Sequence, residues 1–182
     1  ESETDADVGD KANDSLRVNG SELQCKVIGE GGNLGMSQKA RMEYALNGGR
    51  MNTDFIDNAA GVDCSDHEVN IKILLNQVVD NGDMTVKQRN RLLEDMTAEV
   101  SELVLQNNYR QVQAISMAES RSLESMSEYQ RYISHMESAG KLDRALEFLP
   151  EDDALNERRS MQIGLTRPEL SVLISYSKAE LK

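Results

Sequence analysis

The stretch from Asp54 to Glu68 constrains the fold of this chain more than any other. An apolar run that begins at Met51 gives way there to small and polar residues, Asp57-Asn58-Ala59-Ala60-Gly61-Val62-Asp63-Cys64-Ser65, and an amphipathic helical pattern starts directly afterwards. A strand that ends in polar residues and feeds a helix is the layout of a ligand site in an open α/β sheet. Ligands there lie outside the carboxyl ends of strands, beside helix N-termini whose unpaired N–H groups favour anions. Asn58 and Ser65 are the polar side chains at that junction. Ser65 reads as the N-cap of the helix, with Glu68 at the third helical position completing a capping box and Asp66 adding favourable charge.

The residues upstream extend this reading. Leu23, Cys25 and Val27 alternate and run on into Ile28, which predicts a short strand buried on at least one side. Gly29-Glu30-Gly31-Gly32-Asn33-Leu34-Gly35 follows, four glycines in seven residues, a loop in which backbone can approach a ligand or turn through conformations closed to other residues. Ser37 then caps a helix carrying Met36, Ala40 and Tyr44 on one face, and Asn47-Gly48-Gly49 stops it before the second strand at Met51 to Ile56. The predicted order is that of a parallel, right-handed βαβ unit. The glycines do not make a dinucleotide fingerprint: after Gly29 and Gly31 the third glycine belongs at position 34, where Leu34 stands, and Gly35 is one residue late. The loop is open to two readings, a phosphate cradle or a tight structural turn.

Beyond Val62 the pattern is helical throughout. Ile71, Leu74, Leu75 and Val78 form a stripe that Asn81-Gly82-Asp83 ends; Thr85 starts a helix through Leu93, Met96, Val100 and Leu103; Asn107-Asn108 interrupts before Tyr109, Val112 and Ile115. Met126, Tyr129, Ile133 and Met136 make a further stripe ending at Gly140, and Leu142 to Leu149 a short helix closed by Pro150. Thr166-Arg167-Pro168-Glu169 combines a capping box with proline just inside the last helix. The expected fold is therefore α/β, a partial Rossmann-like parallel βαβ unit followed by a mostly α-helical region, helix-dominated overall. Residues 1–20 are an acidic, partly disordered lead-in, 21–82 hold the βαβ unit and the first helix after it, and 83–182 form the helical region.

Charge narrows the function. Twenty Lys and Arg against 32 Asp and Glu leave a formal charge of −12 with no basic cluster, which argues against nucleic acid and anionic membrane surfaces as partners. No apolar run approaches a membrane span, and no signal-peptide pattern opens the chain, so a cytoplasmic location is expected. Cys25 and Cys64 read as two buried thiols. The opening on Glu1 rather than Met, and the stop at Lys182 inside a helical pattern, suggest an excised fragment. Asp63, Cys64, Asp66, His67 and Glu68 crowd together, but consecutive residues at a helix start diverge and no second ligand pair exists, so no metal site is assigned. His67 and His135 read as polar helical residues. Nothing sets Ser65 or Cys64 beside a base with an orienting third group, so no catalytic residue is assigned either.

Three strings carry a resemblance: Cys25 to Asn33, Asn52-Thr53-Asp54, and Asp57 to Lys72, with Leu165-Thr166-Arg167-Pro168-Glu169-Leu170-Ser171-Val172-Leu173 adding to it. The chain resembles the NAD-specific glutamate dehydrogenases of the very large bacterial subunit class, from roughly Asp7 onward, which implies that 21–82 are the end of a dinucleotide-binding domain and 83–182 a truncated helical domain. The resemblance implies NAD as cofactor, with the Gly31 loop and Asn33 near the nicotinamide end and Asn58 facing the nicotinamide amide or its ribose. It implies L-glutamate and 2-oxoglutarate as substrate and product, with Val62 and Ser65 holding the glutamate side chain. The family's catalytic lysine and aspartate lie in a preceding domain and are not recognisable here, which implies an inactive fragment of a homo-oligomeric parent enzyme. The rival expectation is a helical interaction or regulatory module with a merely structural glycine loop.

Overall fold

Residues 4–181 are described by a computed structural model, and among them the regular structure is helical. The helices are α1 (Asp5–Val8), α2 (Gln38–Leu46), α3 (Asp54–Asp57), α4 (Ala59–Asp80), α5 (Val86–Asp95), α6 (Thr97–Ser120), α7 (Met126–Ser138), α8 (Asp152–Ser160) and α9 (Arg167–Glu180). The core gathers Ile115 of α6, Met126, Ile133 and Met136 of α7, Leu155 of α8 and Leu170, Val172 and Leu173 of α9, and Ile56 of α3 joins it. Ile56 is 1% exposed, so the short helix α3 is fastened directly to the helical half.

The expected partial Rossmann-like βαβ unit does not form among the described residues. Its two strands meet in a single parallel bridge, Val27 with Arg50, in which Ile28 N donates to Arg50 O and Arg50 N to Lys26 O, each at 2.9 Å. A parallel sheet needs cover on both faces. Here Val27 is 68% exposed, so no strand buried on one side results. The second segment turns helical at Asp54 because Thr53 takes the N-cap conformation and Asp54 and Asp57 place negative charge in the first turn. Ala59 and Ala60, strong helix formers, then carry the chain into α4 after a break at Asn58.

Several local expectations change with it. Ser65 is not an N-cap; it lies inside α4, where its hydroxyl donates to Gly61 O at 3.2 Å. Asn107 and Asn108 do not interrupt a helix, since α6 runs through both. The segment 142–149 forms turns rather than a helix, and both cysteines are exposed rather than buried. Other signals act as read. Ser37 caps α2 through Ala40 N, Thr85 and Gln88 form a capping box on α5, and Thr166 and Glu169 one on α9 with Pro168 in its first turn. Gly82 and Gly140 take positive φ after α4 and α7, as helix stops do.

Candidate functional site

The glycine loop is held from beneath by buried charge. Arg41 of α2 donates from Nε to Glu30 Oε2 at 2.6 Å and from Nη2 to Glu30 Oε1 at 3.0 Å, and Nη2 stands 3.2 Å from Asp54 Oδ1. The two carboxylates then turn their remaining capacity on the loop backbone. Leu34 N donates to Asp54 Oδ2 at 2.8 Å, and Met36 N to Glu30 Oε1 at 3.1 Å. Asp57 adds a third tie, accepting from Glu30 N at 3.0 Å and from Asn52 Nδ2 at 2.8 Å. Ionised acceptors bound to N–H donors make the stronger class of hydrogen bond, and these are largely shielded from water.

Leu34 has φ 57°, a left-handed conformation that costs a non-glycine residue about 1–2 kcal/mol. The loop thus makes its left-handed turn at a leucine rather than at one of its glycines, and the Asp54 hydrogen bond helps to hold it. Gly31 and Gly32 differ: neither has positive φ, and a Cβ on either would meet nothing within 4 Å. Nothing in this chain demands glycine there. Gly49 is the opposite case, since its Cβ would come within 2.2 Å of Tyr44 Cζ, and Tyr44 anchors the first extended segment by donating its hydroxyl to Cys25 O at 2.8 Å.

Above this scaffold Asn33 and Asn58 meet. Asn58 Nδ2 donates to Asn33 Oδ1 at 2.7 Å, and both line a cavity of about 860 Å³ between the loop, the start of α4, α6 and α9. Val62 lines the same cavity, and Asp63, Asn107, Arg110, Gln111 and Lys178 contribute to its other walls. Gly31 and Ser65 do not line it; both are exposed, Gly31 on the loop and Ser65 on α4. Asn107 Nδ2 donates to Asp63 Oδ2 at 2.9 Å and ties α6 to α4. His67 Nε2 stands 3.6 Å from Asp63 Oδ1, one turn away.

The remaining hydrogen-bonding groups of the asparagine pair define what it can bind. One amide bond between them uses Asn58 Nδ2 and Asn33 Oδ1, and Asn58 Oδ1 and Asn33 Nδ2 have no partner among the described residues. The pair thus keeps one acceptor and one donor open, the two kinds of group that a ligand carboxamide or a hydroxyl pair can meet. The supporting cluster of Glu30, Arg41, Asp54, Asp57 and Asn52 was not picked out by sequence reasoning. Nothing in helical spacing shows the Arg41 charge folding inward to meet Glu30.

The comparisons with known proteins bear on the same stretch. Residues 1–118 match a family model described as the bacterial NAD-glutamate dehydrogenase, catalytic domain. The chain belongs to the bacterial NAD-glutamate dehydrogenase family. Curated relatives called NAD-specific glutamate dehydrogenase are similar across almost the whole sequence: 68% identical over 180 residues in Pseudomonas aeruginosa, 64% over 180 in Halomonas elongata, and 46% over 182 in Mycobacterium tuberculosis. The matches cover 99%, 99% and 100% of this chain, and it spans 11% of the length of each of those relatives. The catalytic-domain match takes in α1 to most of α6, and with them the glycine loop and both asparagines.

Proposed function

We propose that this chain forms one wall of the dinucleotide and substrate cleft of an NAD-dependent glutamate dehydrogenase that converts L-glutamate to 2-oxoglutarate and ammonia. The observation that carries the reading is the Asn33–Asn58 pair, whose open acceptor and donor complement a nicotinamide carboxamide. NAD, held by Asn33 and Asn58, would supply the acceptor for the hydride of the glutamate α-carbon. The residues of this chain bind and orient. Asn33 and Asn58 present fixed amides, and the Glu30, Arg41 and Asp54 cluster keeps the loop under them from yielding, the preorganisation that positioning requires.

Gly31 and Gly32 support the same reading against a merely structural loop. Neither dihedral angle nor neighbouring atoms in this chain call for glycine, whereas a ligand lying against the loop backbone does. Ser65 is proposed for the γ-carboxylate of glutamate; its exposed hydroxyl is held only by an i−4 bond to Gly61 O and can rotate toward a ligand. The resemblance places the family's catalytic lysine and aspartate in a preceding domain, so the chain on its own is expected to be inactive.

Steady-state kinetics of the full-length enzyme test the reading. Asn58→Ala is expected to raise KM for NAD and leave KM for glutamate near wild type, and Ser65→Ala to do the reverse. Wild-type kinetics in both variants would contradict the assignment of this cleft.

A further inference from the structure

Asn52 is buried and uses both ends of its amide. Its Oδ1 accepts from Arg167 Nε at 3.0 Å, and its Nδ2 donates to Asp57 Oδ1 at 2.8 Å. A guanidinium has donors only and a carboxylate acceptors only, so Arg167 and Asp57 together fix both ends of the amide. Without the Arg167 contact Asn52 Oδ1 is left buried with no donor, and the amide keeps only the Asp57 end of its two anchors. Asp57 passes the constraint on by accepting from Glu30 N at 3.0 Å, and Glu30 opens the loop that carries Asn33.

Arg167 is itself firmly placed. It is the first residue of α9, whose start is closed by Thr166 and Glu169; Glu169 is fully buried and accepts from Arg158 Nη1 at 2.8 and 2.9 Å. Arg167 Nη1 also donates to Ser116 Oγ at 3.0 Å and to Glu119 Oε2 at 2.7 Å, both on α6. A side chain 115 residues from Asn52 in sequence thus joins the helical core to the loop through one relay.

We propose that Arg167 is a positioning residue of the dinucleotide site, acting through Asn52 and Asp57 on the Glu30 to Asn33 loop and touching no ligand itself. This rests on the reading of Asn33 and Asn58 as the nicotinamide-facing pair. The helical half of the chain then has a part in NAD binding as well as in packing.

The test is steady-state kinetics of the full-length enzyme with four variants. Arg167→Met removes the donors and keeps the stem, and is expected to raise KM for NAD about tenfold, the effect of one charge-assisted hydrogen bond. KM for glutamate should stay within about twofold of wild type over the same comparison. Arg167→Lys keeps a donor and should restore most of the NAD affinity. Asn52→Asp leaves the Arg167 and Glu119 pair intact and sets a second carboxylate against Asp57, so it should raise KM for NAD by at least as much. Asn33→Ala is the control for the underlying reading. An unchanged KM for NAD in Arg167→Met and Asn52→Asp, with Asn33→Ala impaired, overturns the positioning role. The same follows if Arg167→Met raises KM for NAD together with a lowered thermal midpoint and Arg167→Lys does not rescue KM. If Asn33→Ala also binds NAD normally, the nicotinamide reading falls, and the positioning role with it.

Discussion

Replacing Arg41 by Met is the most severe test of how the loop is held. The Arg41 side chain is 5% exposed, and its partners Glu30 and Asp54 are 6% and 11% exposed. The substitution preserves bulk and removes the cation that joins the two carboxylates. Taking one partner from a buried ion pair costs about 3–5 kcal/mol, because the remaining charge is left buried without compensation. The carboxylates relieve that cost by turning out to water, which releases Leu34 N and Met36 N from Asp54 Oδ2 and Glu30 Oε1. Local opening should therefore become easier by on the order of a hundredfold or more, at 1.4 kcal/mol per decade. Hydrogen exchange followed by mass spectrometry on the full-length protein reads this directly in peptides spanning residues 30–37. Protection there should fall steeply, while peptides from α7, which has no contact with Arg41, should exchange as in wild type. Loop exchange within about threefold of wild type would refute the reasoning, since the buried pair would then contribute little to local stability.

Three further predictions follow from single contacts. Gly49→Ala should destabilise the Tyr44 anchor by about 1–3 kcal/mol through overpacking, whereas Gly31→Ala should leave stability within about 0.5 kcal/mol and raise KM for NAD; thermal shift and kinetics on the two variants should give opposite patterns. Leu34→Gly should stabilise the loop by about 1 kcal/mol by relieving the left-handed backbone, seen as slower exchange of residues 30–37. The Tyr176 phenol is pushed up to about 12 by the hydrogen bond it donates to Glu147 and by burial. With the folded value above the ordinary 10.0, the stability it contributes is complete below pH 10 and is lost as the pH rises through about 12. The absorbance titration of wild type minus Tyr176→Phe should have its midpoint there; a midpoint at the ordinary tyrosine value would contradict the bond.

The helical half was legible because its signals are local. Ser37, Thr85 and Thr166 cap their helices as residue type and spacing dictate, and the stripes through Ile133 and Leu170 are core. The βαβ reading failed for a non-local reason. Strands at 23–28 and 51–56 need neighbours and cover on both faces to persist, and among the described residues they gain one bridge. Asp54 and Asp57, which in the pattern end a strand, instead favour a helical first turn and supply carboxylates to the loop. Ser65 was misplaced as a cap because Ala59 and Ala60 start α4 earlier than the Ser65-Glu68 pattern indicates. Asn33 and Asn58 are 25 residues apart and were linked only through family resemblance; no periodicity shows that their side chains meet. The Arg41 and Arg167 contacts were invisible for the same reason, because inward-turned charges have no sequence period.

The most direct measurement is the affinity of the full-length enzyme for NADH, by fluorescence titration, in wild type, Asn33→Ala, Asn58→Ala and the double variant. Each single substitution should weaken binding by about tenfold, and the double variant should bind more tightly than the product of the two effects predicts, because each asparagine holds the other in place. Wild-type affinity in all three variants would contradict the account, and the loop and its buried charges would then serve the fold alone.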